Sequence, residues 1–381
     1  MNNRYRSWAE IDMDALSSNY RAIRDIIGYD RKMMAMVKAD AYGHGVEQVA
    51  RKLESLGVDY FGVACCSEAS KLRELGLKTP ILITGRTDPE LALTMVKLNI
   101  TQTVYDTEYA HELSEAMKGS ECKLNVHIKL DTGMSRFGVR CPDREDDAVS
   151  EIEEIVNTKG LNVDGIYTHF ALADSLDRSF FDYQYSVFTS VLDKCTEKNI
   201  KFTIKHCANS ACVLNYPCTH MDMVRPGLLL YGVSPTEHND VSDKFTPVMT
   251  LKTTAAQVKT VPQGAVVSYG CRYKAETERK LAVVSIGYAD GFMRMNSVGG
   301  KMLVSGHEAP VVGTVCMDAC MLDVTGIDVK EGDEVEVFGR KYPVEKNAEA
   351  SKTICYEVLT GIGKRIPRYF FESSKIISVS E

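Results

Sequence analysis

The feature that most constrains this chain is an alternation. From about residue 33 onward, short apolar runs follow one another and end near Lys38, Cys65, Thr84, Tyr105, Lys129, His169, His206 and Arg225, with helical segments between most of them. The clearest of these places Val149, Ile152, Ile155 and Val156 on one side and acids on the other. Strand and helix alternating in this way predict a parallel sheet. The first run, Met33-Met34-Ala35-Met36-Val37, has no polar break and reads as a strand buried on both faces. Eight such units in roughly 230 residues predict a (β/α)8 TIM-like barrel, whose usual length is ~250 residues. A doubly wound open sheet is the competing fold. It is disfavoured because no glycine-rich phosphate fingerprint follows the first strand.

A chain of 381 residues exceeds one such unit, and its texture changes after Tyr231-Gly232. Residues 234 to 248 have a linker's composition. Short β-rich runs follow (254–261, 281–286, 301–304, 310–315, 320–324 and 334–338), separated by Gly, Asp and Glu turns. One helical stretch near 348–359 and a last strand near Tyr369 complete a mostly β C-terminal domain. The expected division is a barrel over 1–238 and a β-rich domain over 239–381. Residues 1 to 12 form an extended arm that could pack on the second domain, and Asp12 can cap a helix bearing Leu16, Tyr20, Ile23 and Ile27.

Composition narrows the function. A formal charge of -7 argues against a nucleic-acid surface. The start lacks a secretory apolar core and no segment approaches the ~20 apolar residues of a spanning helix, so a cytoplasmic location is expected. The twelve cysteines show no paired C-x-x-C spacing and read as buried reduced thiols. Cys316 and Cys320 lack the partners for a tetrahedral metal set, so no metal is expected. Gly361-Ile-Gly363-Lys364 lacks the first glycine and the hydroxyl of a phosphate loop.

In a barrel, functional groups sit where strands end. Here those places hold Lys38, Arg136, His169, Asn209, Ser210 and Arg225, and four potential cations at one mouth favour an anionic ligand. A lysine at the end of a buried strand must be paired, lose its charge or be joined to something. The Tyr-Gly-His-Gly after Ala41 forms a tight loop able to bring backbone and a phenol to a ligand. Taken singly, Lys38 could snorkel to solvent, His169 could be a satisfied core histidine and Tyr269 a turn aromatic.

The ordered set of motifs weighs against those readings. Val-Lys38-Ala-Asp-Ala-Tyr42-Gly-His-Gly, Lys129-Leu-Asp-Thr-Gly-Met-Ser-Arg136-Phe-Gly, Thr-His169-Phe, Ala-Asn209-Ser210-Ala, Val-Arg225-Pro-Gly-Leu, Ser-Tyr269-Gly, Gly-Tyr288-Ala-Asp-Gly, Val-Cys316-Met317-Asp318 and Tyr356-Glu-Val run in this order over nearly the full length. Together they resemble the alanine racemases, pyridoxal-phosphate-dependent amino-acid racemases built on a barrel. The resemblance implies that Lys38 holds the cofactor through a Schiff base. Its phosphate would take hydrogen bonds from Tyr42, Ser210 and Tyr356 and from backbone near Gly227 and Leu228. Arg225 would face the pyridine nitrogen; a guanidinium has only donors, so that nitrogen stays unprotonated and the ring is a weaker electron sink.

Inversion at Cα needs two acid/base groups on opposite faces, which the resemblance assigns to Lys38 and Tyr269. It brings Tyr269 and Met317 from the partner of a head-to-tail homodimer. His169 and Arg225 would supply the cationic field that Tyr269 needs. Arg136 would bind the substrate carboxylate or the phenolic oxygen, steadied by Lys129, a carbamate in many relatives. Asn209, Tyr288, Cys316 and Asp318 would support the site.

The implied reaction is interconversion of L- and D-alanine, supplying D-alanine for peptidoglycan. Thr314 and Ala319 stand where the family commonly has Arg and Gln, which bears on pocket width and polarity. They keep open a serine or serine/alanine racemase like the soluble half of membrane-bound serine racemases linked to glycopeptide resistance. Two further alternatives are a fold-related amino-acid decarboxylase, which would need a glycine-rich phosphate loop, and a non-enzymatic cofactor carrier, which would need neither second domain nor Tyr269.

Overall fold

The computed structural model describes residues 6–236, 241 and 243–380. The linker expected at 234–248 lies partly outside the described residues, at 237–240 and 242. The first sheet has nine parallel strands, eight of them ordered Met223–Val224, Lys32–Met36, Tyr60–Val63, Ile81–Ile83, Ile100–Val104, Leu124–Asp131, Leu161–Tyr167 and Ile204–His206, with the short Val139–Arg140 pairing to the side of Leu124–Asp131. The two ends meet where Asp222 N donates to the Lys205 carbonyl at 3.1 Å and Arg225 N to that of Ala208 at 2.9 Å. This is a nearly closed barrel. Strands such as Lys32–Met36 and Ile100–Val104 are buried on both faces beyond their first residues, which is why they read as continuous apolar runs.

Asp12 caps the helix Met13–Ile27, accepting from Ala15 N at 2.8 Å. The expected face of Leu16, Tyr20, Ile23 and Ile27 is buried. The segment before it is a strand, Ser7–Asp12, and it belongs to the other sheet. It pairs antiparallel with Met249–Val261 and parallel with Arg368–Glu372, so the chain starts in the β-rich half, builds the barrel, and returns.

That second sheet runs His307–Pro310, Lys301–Val304, Glu334–Phe338, Met249–Val261, Ser7–Asp12, Arg368–Glu372, Lys375–Ser380, with Arg279–Val284 and Cys320–Asp323 branching from it. Two expectations change here. The helical stretch is two helices, Val344–Ser351 and Cys355–Thr360, separated by Lys352 in the left-handed region. The strand near Tyr369 is followed by another, Lys375–Ser380, which covers its edge.

All twelve cysteines are free thiols, but only Cys141, Cys195, Cys207, Cys212 and Cys320 are buried. Cys65 and Cys66 correct the strand-like reading: the strand ends at Val63, Cys65 precedes a helix and Cys66 begins it, leaving both half-exposed. Among the described residues no helix is long and apolar enough to cross a membrane, and no His/Cys/Asp/Glu cluster could hold a metal.

Asp12 has a second role, receiving Arg340 Nη2 at 2.6 Å from the β-rich half. Asp12→Ala is expected to cost about 1 kcal/mol, most of it the lost cap, seen as a lower midpoint in urea unfolding.

Candidate active site

Lys38 begins a turn that the sequence does not announce. Ala39, Asp40, Ala41 and Tyr42 all have positive φ, at 51°, 55°, 55° and 55°, making one left-handed helical turn of L-residues. Such a conformation costs about 1–2 kcal/mol per residue and persists only where neighbours over-determine it. Those neighbours are visible. Glu68 accepts from Ala39 N through one oxygen and from Ala64 N through the other, both at 2.7 Å. Asp40 accepts from Val46 N at 2.9 Å. His44 Nδ1 reaches the carbonyls of Ala41 at 3.0 Å and Tyr42 at 2.9 Å, and its ring stacks on Tyr231, whose hydroxyl donates to the Met36 carbonyl at 2.9 Å. The backbone on both sides of Lys38 is therefore held by side chains from several separate segments. Sequence reasoning gave Glu68, His44 and Tyr231 no role, because nothing in their spacing shows a left-handed turn.

Burial lowers the Lys38 pKa, and the positive charges of Arg136 and Arg225 push it the same way against an opposing pull from Glu68. Lys129, on the strand Leu124–Asp131 four positions further round the barrel, is lowered to about 8, first by burial and then by Arg136 and Arg225. While Lys129 is an ammonium it repels Arg136 rather than steadying it; only a negatively charged derivative would reverse that sign.

Behind them lies Arg225, fully buried and without a carboxylate among its named contacts. Nη1 donates to His206 Nδ1 at 3.0 Å; Nη2 donates to the Thr168 carbonyl at 2.8 Å, to His169 Nδ1 at 3.1 Å and to the Cys207 carbonyl at 3.3 Å. None of these bonds uses Nε. Its plane also sits over the Tyr167 ring, 5.2 Å from the centroid. Because a guanidinium only donates, both histidines must present an unprotonated Nδ1. His206 then donates from Nε2 to His127 Nδ1 at 3.0 Å. Burial and the Arg225 charge hold His169 and His206 well below the ordinary histidine range. The expectation that His169 adds positive charge is corrected: a neutral His169 offers an Nε2–H donor, which leaves Lys38, Arg136 and Arg225 of the four potential cations expected there. His206 was recognised only as a strand end, and His127 not at all. Room for the His127 ring comes from Gly165, where an added Cβ would lie 2.6 Å from it.

A second cluster forms an anion cradle. Asn209 caps the helix Ser210–Asn215 by accepting from Cys212 N at 3.0 Å, which sets Ser210 at the helix start. Ser210 Oγ accepts from Gly227 N at 2.9 Å and from Leu229 N at 3.4 Å. Leu228 begins the short turn Leu228–Tyr231 between them. A Cβ on Gly227 would stand 2.5 Å from the Tyr42 hydroxyl, so only glycine leaves that space open. Tyr356 joins from the β-rich half, its ring 5.9 Å from that of Tyr42.

Tyr269, Tyr288, Met317 and Asp318 lie elsewhere in the chain. Gly287 and Tyr288 pack on the Cys316–Met317 segment, with Tyr288 N donating to the Cys316 carbonyl at 3.1 Å. Arg6 and Arg365 reach buried Asp290 at 2.8 and 2.7 Å, and Arg365 also reaches Asp318 at 2.7 Å. Cys316 Sγ lies 3.3 Å from Ser268 Oγ. Tyr269 is 73% exposed and Met317 52%. No described hydrogen bond, ion pair or ring contact joins Tyr269, Tyr288 or Met317 to the Lys38–Arg225 set.

Comparison with known proteins gives this arrangement a family. Residues 11–235 match the alanine racemase N-terminal domain and residues 248–370 the alanine racemase C-terminal domain. An alanine racemase of Desulforamulus reducens is 43% identical over 366 residues, covering 95% of this chain and 98% of that protein. The solved structure of alanine racemase from Clostridium difficile superposes with a TM-score of 0.93 at 36% identity, covering 99% of both chains. That of Bacillus anthracis, with bound L-Ala-P, gives 0.90 at 34% identity, covering 98% of this chain and 97% of that one. The fold and the site define an amino-acid racemase of the barrel type. This chain belongs to the alanine racemase family.

His44 and His127 are both lowered to about 4, chiefly by burial. Each is neutral in the fold and protonates at ~6.5 when unfolded, so the unfolded chain binds more protons between those values. Stability is expected to fall as pH drops from ~6.5 to ~4, by on the order of 1–3 kcal/mol per histidine. Urea midpoints measured across this range should show a shallower slope in His127→Gln.

Proposed function

We propose that this protein interconverts L-alanine and D-alanine with pyridoxal 5′-phosphate as cofactor. The observation that carries the reading is the depressed Lys38 amine at the barrel mouth, with Arg225 behind it as a donor-only partner for a ring nitrogen. The residues present fit that cofactor. Tyr42, Ser210, Gly227 and Leu228 make the phosphate cradle, with Tyr356 at its edge, and Lys38 is the covalent anchor. Bound there, pyridoxal phosphate supplies the electron sink that acidifies the Cα–H bond of the amino acid.

The chain's own residues supply the rest. Lys38, with its pKa lowered toward the working range, takes or returns the proton at Cα on one face. Tyr269 of a second copy of this chain serves the opposite face, with the neutral His169 donating from Nε2 to its phenolic oxygen. Arg136 binds the substrate carboxylate, and Met317 of the second copy lines the other wall. A carbamate on Lys129 would turn its repulsion of Arg136 into attraction, and a pKa of about 8 leaves an amine fraction able to react with carbon dioxide.

A head-to-tail homodimer accounts for two exposed apolar sets. Tyr269, Tyr288, Met295, Val298 and Met317 stand out from the β-rich half, and Phe137, Leu172, Leu176, Ile354 and Tyr356 lie in loops leading from the mouth or beside it. Twelve free thiols suit the reducing cytoplasm, where D-alanine would be made for peptidoglycan. Alanine rather than serine is favoured, since the relatives and neighbours named above are alanine racemases.

Proton NMR in D₂O, following loss of the Cα–H signal, should show faster exchange with L-alanine than with L-serine, with D-alanine appearing. Faster exchange with serine, or none with alanine, would overturn the assignment. Tyr269→Phe should lower kcat by about 10²–10⁴. Gly227→Ala should weaken pyridoxal phosphate binding about tenfold or more, by crowding the cradle, in a titration followed by cofactor absorbance.

A further inference from the structure

Tyr269 sits on a turn that its own sequence does not favour. Ser268 before it has φ 66°, Gly270 after it 74°, and Cys271 48°. Two of these are L-residues in the left-handed region, which persists only when the surroundings hold it. Cys316 Sγ lies against Ser268 Oγ at 3.3 Å, and the two bonds on either side of the Tyr269 Cα are both made with Thr314. Thr314 Oγ1 donates to the Tyr269 carbonyl at 2.8 Å, and Ser268 Oγ donates back to the Thr314 carbonyl at 2.6 Å. Thr314 is 2% exposed, whereas the Tyr269 ring projects into solvent. The two segments touch backbone to backbone at Gly313, where an added Cβ would lie 2.6 Å from the Val267 carbonyl oxygen and 3.0 Å from Ser268 Cβ.

We infer that Thr314 is a positioning residue for Tyr269, acting with Ser268 as a reciprocal clamp. The inference rests on the racemase reading above. With the backbone on both sides of Cα fixed, the phenol moves on its own two torsions alone, so its oxygen stays on a defined arc over the site it serves. Without the Thr314 bond, the strained turn can relax and carry the whole ring with it. The position is distinctive in this chain, since the alanine racemase pattern commonly places an arginine there. Threonine substitutes a short neutral hydroxyl, whose reach ends at the adjacent carbonyl.

The test compares Thr314→Val, Thr314→Ser and Tyr269→Phe as cofactor-loaded protein. L- and D-alanine are equally stable, so a variant must lower kcat/KM equally in both directions; the drop expected for Thr314→Val is about tenfold. The discriminating readout is the isotope effect with Cα-deuterated substrate. It should become larger for the enantiomer whose proton Tyr269 removes and smaller for the other, because the two transfers are in series. Amide hydrogen exchange over 268–271 should rise in Thr314→Val, with the oligomeric state unchanged, and Thr314→Ser should restore both measures.

Unchanged isotope effects or unchanged exchange at 268–271 in Thr314→Val would overturn the inference, as would an equal defect in Thr314→Ser. If Tyr269→Phe abolishes turnover while Thr314→Val behaves as the parent, only the clamp fails. If Tyr269→Phe leaves racemisation intact, the two-base reading fails and the clamp with it.

Discussion

The site depends on a buried guanidinium that no carboxylate among the described residues answers. Arg225 is surrounded by two carbonyls and two histidine nitrogens, all neutral acceptors. Taking such a charge out of water is costly, and four good hydrogen bonds offset that cost without cancelling the charge. The surplus positive field is felt by every titratable neighbour. It lowers Lys38, Lys129, His169 and His206 alike. It also settles the tautomers of both histidines, since each must accept at Nδ1. Burial is the larger cause of the lowered Lys38 and His169, and the Arg225 charge adds to it at both.

The lysine is fixed by a different device. A left-handed turn of four L-residues is a store of strain, and the contacts that hold it come from well-separated places: Glu68 after the second barrel strand, His44 just beyond the turn and Tyr231 after the last strand. Closing the barrel brings the first and last strands together, and so permits the hold. The first strand of the chain, Ser7–Asp12, sits in the β-rich sheet between Met249–Val261 and Arg368–Glu372. That pairing ties the two halves together while leaving Tyr269 and Met317 exposed. The exposed aromatic and aliphatic residues on each part are the material for the association proposed above.

Much of this was legible in the chain because strand ends carry chemistry in a barrel. The eight apolar runs end within two residues of the observed strand ends, and Lys38, Arg136, His169, Ser210 and Arg225 come to the mouth as that register requires. What periodicity could not show was charge state. His169 looks like a fourth cation in sequence, yet in three dimensions it is an acceptor for Arg225 and neutral. Nor could local pattern find His127, whose partner His206 lies 79 residues away. The C-terminal helix was read as continuous because its apolar spacing carries across Lys352; the break is a single left-handed residue, a conformation lysine does not advertise.

By itself, the sequence determined the alternation of strand and helix, the change of texture after Tyr231 and the kinds of side chain at each strand end. These follow from burial, which is written residue by residue as apolar runs and amphipathic faces. The tertiary structure alone decided which of those side chains are charged, which backbone turns are strained, and that Tyr269 stands out in solvent. Those properties arise from pairwise distances between residues far apart in sequence. Desolvation, Coulomb interaction and hydrogen bonding act through such distances, and only closure of the barrel sets them.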